Sequence, residues 1–243
     1  MTIISFLRLV PVLFVFCFLA LTTDHPPSVG AAFAYPASTP VNTENYGGCA
    51  LHEGYVPIPH TGRRYLLYLL DRLAPAAGEN PADYAVDIIR ETSGPEYINA
   101  MTCADSKVIW VSRKAYQELY GYEPALAYLM AHEIAHGSAR SVFWANLDWR
   151  YPAEERLYKS LTGRQRHEVV VDQRAADIML AGGYTEEVIL AGARYILWQD
   201  GADLVLAAGP SHPAGWDRLS LLAYYLDRRS SSGSVAIVGR VIP

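Results

Sequence analysis

The sequence predicts an α+β domain that is mostly helical and carries a small β-sheet. Several stretches repeat apolar residues at helical spacing, and two short segments rich in Val, Ile, Tyr and Trp have the composition of strands. The chain has 243 residues and is 51% hydrophobic, which is enough for one well-buried domain. We place this domain at residues 63–243.

The first 34 residues are predicted to lie outside the domain. A continuous apolar run at 9–21 is short for a bilayer span, and an A-x-A pattern follows at Ala32 and Ala34. This pattern is typical of a secretory signal peptide cleaved near Ala34. The long gap between the run and that site makes an uncleaved membrane anchor the alternative. We expect an exported protein, periplasmic or secreted, that meets a membrane only through residues 9–21 if they are retained.

Whether the protein is exported also decides whether its remaining cysteines are expected to form a disulfide. Cleavage near Ala34 removes Cys17 and leaves Cys49 and Cys103. An even pair in an oxidising compartment predicts a disulfide, whereas a cytoplasmic domain would hold two free thiols.

The remaining elements follow from periodicity and from helix-breaking residues. Residues 35–62 are rich in Pro, Gly, Asn and Thr and are predicted to be a linker and loops. Strands are expected at 84–90 and 107–113, with turn residues between them. Helices are expected at 63–73, from Pro124 onward, after Pro152, at 164–180 before a Gly-Gly stop, at 185–199, and at 214–229.

One helix carries a pattern with chemical meaning. Residues 128–140 read YLMAHEIAHGSAR, so His132 and His136 lie one turn apart on the same helix face. Two imidazoles in that arrangement can bind one zinc ion, and Glu133 is placed to act on a zinc-bound water. The rest of the helix is apolar or small, and burying these three side chains without partners would be expensive.

A third ligand is expected on the helix at 164–180. Glu168 and Asp172 are again four residues apart, so one carboxylate can bind the metal while the other accepts an N–H from a ligand histidine. His167 competes with Glu168 as the ligand, but it faces a different side from Asp172. We therefore favour Glu168.

Together these motifs resemble a known family. HEIAHG, followed by E-x-x-x-D and RAADIMLAGGY, resembles the HtpX-like and CAAX-prenyl-protease zinc metallopeptidases, which are gluzincins. NAMTCADSKVIWVS, from Asn99, and SHPAGWDRLSLL, from Ser211, are similar to two further segments of that family. The resemblance covers residues 63–229. It implies a zincin-like metallopeptidase fold with a small β-sheet edge above the active-site helix.

The resemblance also implies a set of residue roles. The ligands of one Zn²⁺ per chain would be His132, His136 and Glu168. Glu133 would be the catalytic base, and Asp172 would support a ligand histidine.

The resemblance assigns the outer part of the site as well. His212 would lie near the active site and stabilise the oxyanion or hold substrate, although a helix-leading His-Pro turn is the alternative. Arg218 would order that segment at the substrate. Asn99 and Ala100 would lie on an edge strand that pairs with extended substrate.

We therefore expect a zinc-dependent endopeptidase that cleaves unfolded or extended polypeptides in envelope quality control or processing. The alternative is a zinc-stabilised, holdase-like protein that binds polypeptides without cutting them.

Other classes of protein fit the sequence less well. A structural zinc site usually has cysteine ligands, and the cysteines of this chain have the wrong spacing for one. A net charge of −5 without a basic cluster argues against nucleic-acid binding. HtpX and the prenyl protease span the membrane several times, whereas this chain has one apolar segment, at its N-terminus. The resemblance therefore does not imply prenylated substrates.

Overall fold

The computed structural model describes residues 54–92, 98–103, 106–138, 152–199 and 212–233. This part of the chain is α+β and mostly helical, as predicted. Its strands form one four-stranded mixed sheet: β1 (Tyr55–Ile58), β2 (Ala85–Glu91), β3 (Ala100–Cys103) and β4 (Val108–Ser112). Its α-helices are α1 (Arg63–Ala76), α2 (Arg113–Leu119), α3 (Glu123–Ser138), α4 (Pro152–Ser160), α5 (Gly163–Ala181), α6 (Glu186–Gln199) and α7 (Gly215–Gly233).

The sheet has the order β1-β2-β4-β3, with β2 and β4 parallel in the middle and both edge strands antiparallel to their neighbours. The two strands predicted from composition are the central ones. Composition predicted loops or turns for both edge strands, although the family resemblance implies an edge strand at Asn99 and Ala100. β1 lies within the predicted linker at 35–62, and it is short and contains Pro57, which an edge strand tolerates.

The second edge strand, β3, lies among the turn residues predicted between the two central strands. Its sequence, AMTC, is too short to predict a strand by composition. The segment is extended because Ala100 to Cys103 pair with β4. Two hydrogen bonds fix its start, since the Asn99 N–H donates to Ser112 Oγ at 3.1 Å and the Ser112 N–H donates to the Asn99 carbonyl at 2.8 Å. The edge strand implied for the Asn99 segment is therefore present.

The six predicted helices are present in the predicted order, with small shifts at their ends. The short helix α2 was not predicted; it begins directly after β4, where the Ser112 side chain accepts a hydrogen bond from the Ala115 N–H. α1 continues past its predicted end at residue 73 and includes Pro75. Pro75 lies in the last turn of α1. Its missing N–H removes one helical hydrogen bond there and leaves the hydrogen bonds of the preceding turns intact. α5 begins after a Thr162 capping box completed by Gln165 and stops before Gly183, which has a φ of +86°.

The core is built around α3, which packs against α1, α5, α6 and β3. Its side chains are buried on nearly every side, including Leu126, Met130 and Ile134. α3 and α6 pack closely because Gly192 on α6 has no side chain. A Cβ atom at this position would lie 2.3 Å from the Pro124 carbonyl oxygen, which is too close. α3 is thus a central helix, and its polar residues must find partners inside the protein. None of the helices described here is long and apolar enough to cross a membrane.

Some predictions fall outside the described residues. The signal peptide or anchor at 1–34 and most of the linker belong to this group. So do Cys49 and the segment between α3 and α4. Cys103 is buried at the end of β3, and its bond to Cys49 stays a prediction.

Candidate metal centre

Two neighbouring helices bring together three side chains that could bind a metal ion, and we call His132, His136 and Glu168 the ligand group. On α3, the Nε2 atoms of His132 and His136 lie 3.2 Å apart. On α5, Glu168 Oε2 lies 3.4 Å from His132 Nε2 and 3.8 Å from His136 Nε2. One ligand atom from each of these residues lies within 4.8 Å of the other two, so the group could hold a metal ion.

The environment of the Glu168 carboxylate fits a metal ligand. Its Oε2 atom is buried and, within the part of the chain that the structure describes, accepts no hydrogen bond. A buried carboxylate oxygen without a hydrogen bond costs free energy unless something else compensates it. Here imidazole nitrogens surround the oxygen, and a cation bound by all three side chains would supply that compensation.

Asp172 fixes the orientation of His132. It lies one turn after Glu168 on α5, and its Oδ1 atom is 3.0 Å from His132 Nδ1. An Nδ1–H that donates to this carboxylate turns Nε2 toward His136 and Glu168, where a metal ion would take the place of the Nε2 proton. The contact matches the expectation that Asp172 supports a ligand histidine by accepting its N–H.

The same carboxylate is held by two further side chains. Tyr128 donates to Asp172 Oδ1 at 2.8 Å, and Arg218 donates to Oδ1 and Oδ2 at 2.7 and 2.8 Å. Arg218 was predicted to act at the substrate, but both of these bonds go to Asp172, so the structure gives it a different main contact. It still lines the cavity beside the site.

Tyr128 is a site residue that the sequence analysis missed. A signal for it exists, because Tyr128 lies one turn before His132 on the same face of a buried helix. A buried tyrosine hydroxyl needs a hydrogen-bond partner, and that face points toward α5. The spacing alone does not say which acid on α5 is the partner.

Electrostatics set the protonation states of the group. Burial would lower the pKa of His132, but its hydrogen bond to Asp172 and its contact with Glu168 raise the value to about 9. Burial and the neighbouring His132 lower the pKa of His136 to about 3, so that ring is neutral, as a metal ligand must be. Burial opposes ionisation of Glu168, yet the histidines lower its pKa to about 2. A metal ion would compete chiefly with the proton of His132.

Glu133 follows His132 on α3 and is buried, and it lines both hollows that His132 lines. Burial is the main reason that its pKa is raised to about 7. A carboxyl group with that pKa can both take up and release a proton near neutral pH.

Two more histidines and one residue of β3 lie around His132, His136 and Glu168. His212 Nε2 lies 3.5 Å from Glu168 Oε2, and its side chain is about half exposed. His167 is exposed, and its ring centroid is 5.7 Å from that of His136. Ala100, at the start of β3, lines the same hollow as His167 and His212. The predicted outer residues therefore do gather at the ligand group.

A cavity of about 320 Å³ opens beside Glu133. Ala100 at the start of β3 and the preceding Asn99 line it on one side. His212, just before α7, and Arg218, in the first turn of α7, line it on another. The second hollow, which includes His136 and His167, adjoins it at the ligand group.

Comparisons with known proteins give no relative for this chain. No protein-family model matches it, and no curated protein or solved structure is significantly similar to it.

Proposed function

We propose that this protein is a zinc-dependent endopeptidase of the zincin type, similar to the HtpX-like metallopeptidases. The observation that carries the proposal is the two-histidine, one-carboxylate group with a buried glutamate of raised pKa beside it. Two histidines and one glutamate form a ligand set used by catalytic zinc sites, which keep a fourth position open. One Zn²⁺ per chain would be held by His132, His136 and Glu168.

The bound metal would supply Lewis acidity, which lowers the pKa of a coordinated water and polarises a carbonyl group. Glu133 accepts a proton from the attacking water and then delivers it to the leaving amine as the C–N bond breaks. The products are a carboxylate and an amine, and Glu133 returns to its starting state. A pKa of about 7 suits both transfers.

Other residues orient the reactants. His132 is held in one tautomer by Asp172, which Arg218 and Tyr128 keep in place. His212, at the edge of the ligand group, is placed to donate a hydrogen bond to the oxygen of the reacting carbonyl.

The substrate is an extended polypeptide. β3 is an edge strand, and both Asn99 and Ala100 line the cavity beside Glu133. A peptide that pairs with this edge would pass directly over the ligand group, which requires it to be unfolded or extended. With the predicted export, this supports a role in protein quality control or processing in the cell envelope.

The test is cleavage of unfolded casein by the full-length, zinc-loaded chain. Glu133→Gln should keep zinc and lose turnover, whereas Glu118→Gln, a matched change of an exposed glutamate on α2, should alter neither. Zinc content is measured by metal analysis and cleavage by gel electrophoresis. Tight binding of casein without cleavage by the wild-type chain would contradict the peptidase and favour the holdase-like alternative.

A further inference from the structure

The main-chain groups of β3 alternate between its partner strand and the outer edge of the sheet. Asn99, which precedes the strand, shares two hydrogen bonds with Ser112 and therefore faces β4. In an antiparallel pair this facing alternates, so the N–H and C=O groups of Ala100 and Thr102 point away from β4. Both residues line the hollow at the ligand group. An extended polypeptide added to this edge would therefore form its main-chain hydrogen bonds with Ala100 and Thr102.

Asn99 cannot take part in such pairing through its main chain. Its N–H donates to Ser112 Oγ at 3.1 Å, and its carbonyl oxygen accepts from the Ser112 N–H at 2.8 Å. Because Asn99 also lines the cavity beside Glu133, its side chain is the group that can reach a polypeptide there. A carboxamide has a donor end and an acceptor end, so its orientation decides which of the two it offers.

Tyr55, at the start of β1, contacts the Asn99 side chain and lies outside residues 63–229, which resemble the known family. It lines the same cavity, and its hydroxyl donates to Oε1 of Glu91, its direct partner across β1 and β2, at 3.0 Å. Burial and this hydrogen bond raise the pKa of Tyr55, whereas a hydrogen bond with the Asn99 side chain lowers it. A hydrogen bond that lowers the pKa of a phenol favours the phenolate, so Asn99 is the donor and its amide nitrogen faces Tyr55.

Given the proposed endopeptidase function, on which this step rests, we propose that Tyr55, held by Glu91, is a positioning residue for substrate. It fixes the carboxamide of Asn99 by its amide nitrogen and leaves Oδ1 to accept a main-chain N–H of the polypeptide. Ala100, Thr102 and the Asn99 carboxamide would then all bind the main chain of the substrate. Such a surface takes extended polypeptides of varied sequence.

Binding can be measured apart from hydrolysis. The zinc-loaded, full-length Glu133→Gln chain would be titrated against labelled unfolded casein by fluorescence anisotropy. Adding Tyr55→Phe removes the hydroxyl and keeps the ring, so casein should bind roughly twofold to tenfold more weakly. The affinity for acetohydroxamate, a small ligand of the metal itself, should not change.

The chain provides a matched control for the loss of a tyrosine hydroxyl. Tyr65 also donates to a glutamate at 3.0 Å, namely Glu123 at the start of α3, and it lines neither hollow. Tyr65→Phe should leave casein affinity unchanged, and thermal melting shows whether the two variants lose similar stability. Equal weakening of casein binding by both substitutions would indicate a general structural effect and overturn the proposal.

The contribution of Glu91 has its own conservative variant. Glu91→Gln keeps an oxygen that can accept from the Tyr55 hydroxyl, so it should keep most of the casein affinity. Glu91→Leu removes the acceptor and should match Tyr55→Phe. An unchanged affinity in Glu91→Leu would contradict the part assigned to Glu91.

A double-mutant cycle tests whether Tyr55 acts through Asn99. Asn99→Ala removes the carboxamide and leaves both main-chain hydrogen bonds in place, so it should weaken casein binding by itself. Tyr55→Phe should then add no further loss, because its effect needs the Asn99 side chain. A full additional loss in the double variant would overturn the proposed route.

The two proposals fail in different ways. Unchanged casein affinity with Tyr55→Phe, in a protein whose wild type cleaves casein, would overturn the role of Tyr55 and leave the peptidase intact. Weaker casein binding with Tyr55→Phe, in a protein whose wild type cleaves nothing, would support the role of Tyr55 and contradict the peptidase.

Discussion

Replacing Asp172 with asparagine tests the arrangement of the site most directly. The change keeps the size of the side chain and removes its charge. Asp172 is 1% exposed and pairs with Arg218, whose side chain is 11% exposed. It also accepts hydrogen bonds from Tyr128 and His132. The substitution therefore leaves the buried Arg218 guanidinium without a counter-ion and His132, the proposed zinc ligand, without its carboxylate.

Asp172→Asn should lower both the unfolding free energy and the zinc affinity by amounts that can be estimated. Breaking a buried ion pair by removing one partner costs about 3–5 kcal/mol of unfolding free energy. A domain typically has about 5–15 kcal/mol, so Asp172→Asn should be severely destabilised. Loss of a carboxylate that orients a ligand histidine should lower zinc affinity by about 10–100-fold.

The chain provides a matched control on the same helix. Asp177 lies farther along α5 and also pairs with a tyrosine and an arginine of α7, namely Tyr225 and Arg229. The Arg229 side chain is 48% exposed, so the pair is solvated and its loss should cost about 1 kcal/mol or less. Asp177→Asn should not change zinc affinity.

Urea unfolding in the presence of a chelator gives the stability of each variant, and competition with a chromophoric chelator gives the zinc affinity. Equal losses of stability in Asp172→Asn and Asp177→Asn would refute the reasoning from burial. The double variant Asp172→Asn, Arg218→Met should recover stability, because no charge is then left unpaired. Its zinc affinity should stay low, since a neutral amide oxygen replaces the carboxylate at His132.

Two further substitutions test the ligand set and the packing of α3. His136→Ala should lose zinc, whereas His167→Ala, an exposed histidine outside the ligand group, should keep one Zn²⁺ per chain in metal analysis. Full zinc occupancy in His136→Ala would refute the ligand assignment. Gly192→Ala should lower the unfolding free energy by about 1–3 kcal/mol, because the new Cβ would lie 2.3 Å from the Pro124 carbonyl oxygen. Gly121→Ala meets no atom within 4 Å and should change thermal melting little; an equal shift in both would contradict the close α3–α6 contact.

The sequence was sufficient to predict six of the seven described α-helices and the grouping of His132, His136 and Glu168, because both depend on local spacing. His132 and His136 share a face on any α-helix, and Glu168 and Asp172 do so as well. The central strands β2 and β4 were predicted because they are buried and rich in branched residues. These features need no knowledge of which segments meet in space.

The missed features depend on contacts between distant segments. β1 and β3 have weak local signals, and composition predicted neither of them; only the family resemblance implied β3. They are strands because β2 and β4 offer them partners. Arg218 is 46 residues from Asp172, and no local pattern says that its guanidinium would reach that carboxylate rather than a substrate. The cavity beside Glu133 likewise combines residues from β3, α3, α6 and α7, whose separate sequences look like ordinary core segments.

The position of Asp172 also links metal binding to tertiary structure. Its carboxylate joins α5 to Tyr128 and His132 on α3 and to Arg218 on α7. The favourable tautomer of His132 therefore exists only when these three helices are packed together. Since metal that binds the folded chain better than the unfolded chain stabilises the fold, zinc should protect the contact of α7 with α5 as well as the ligand helices. A site built from α3 and α5 alone would not extend this protection to α7.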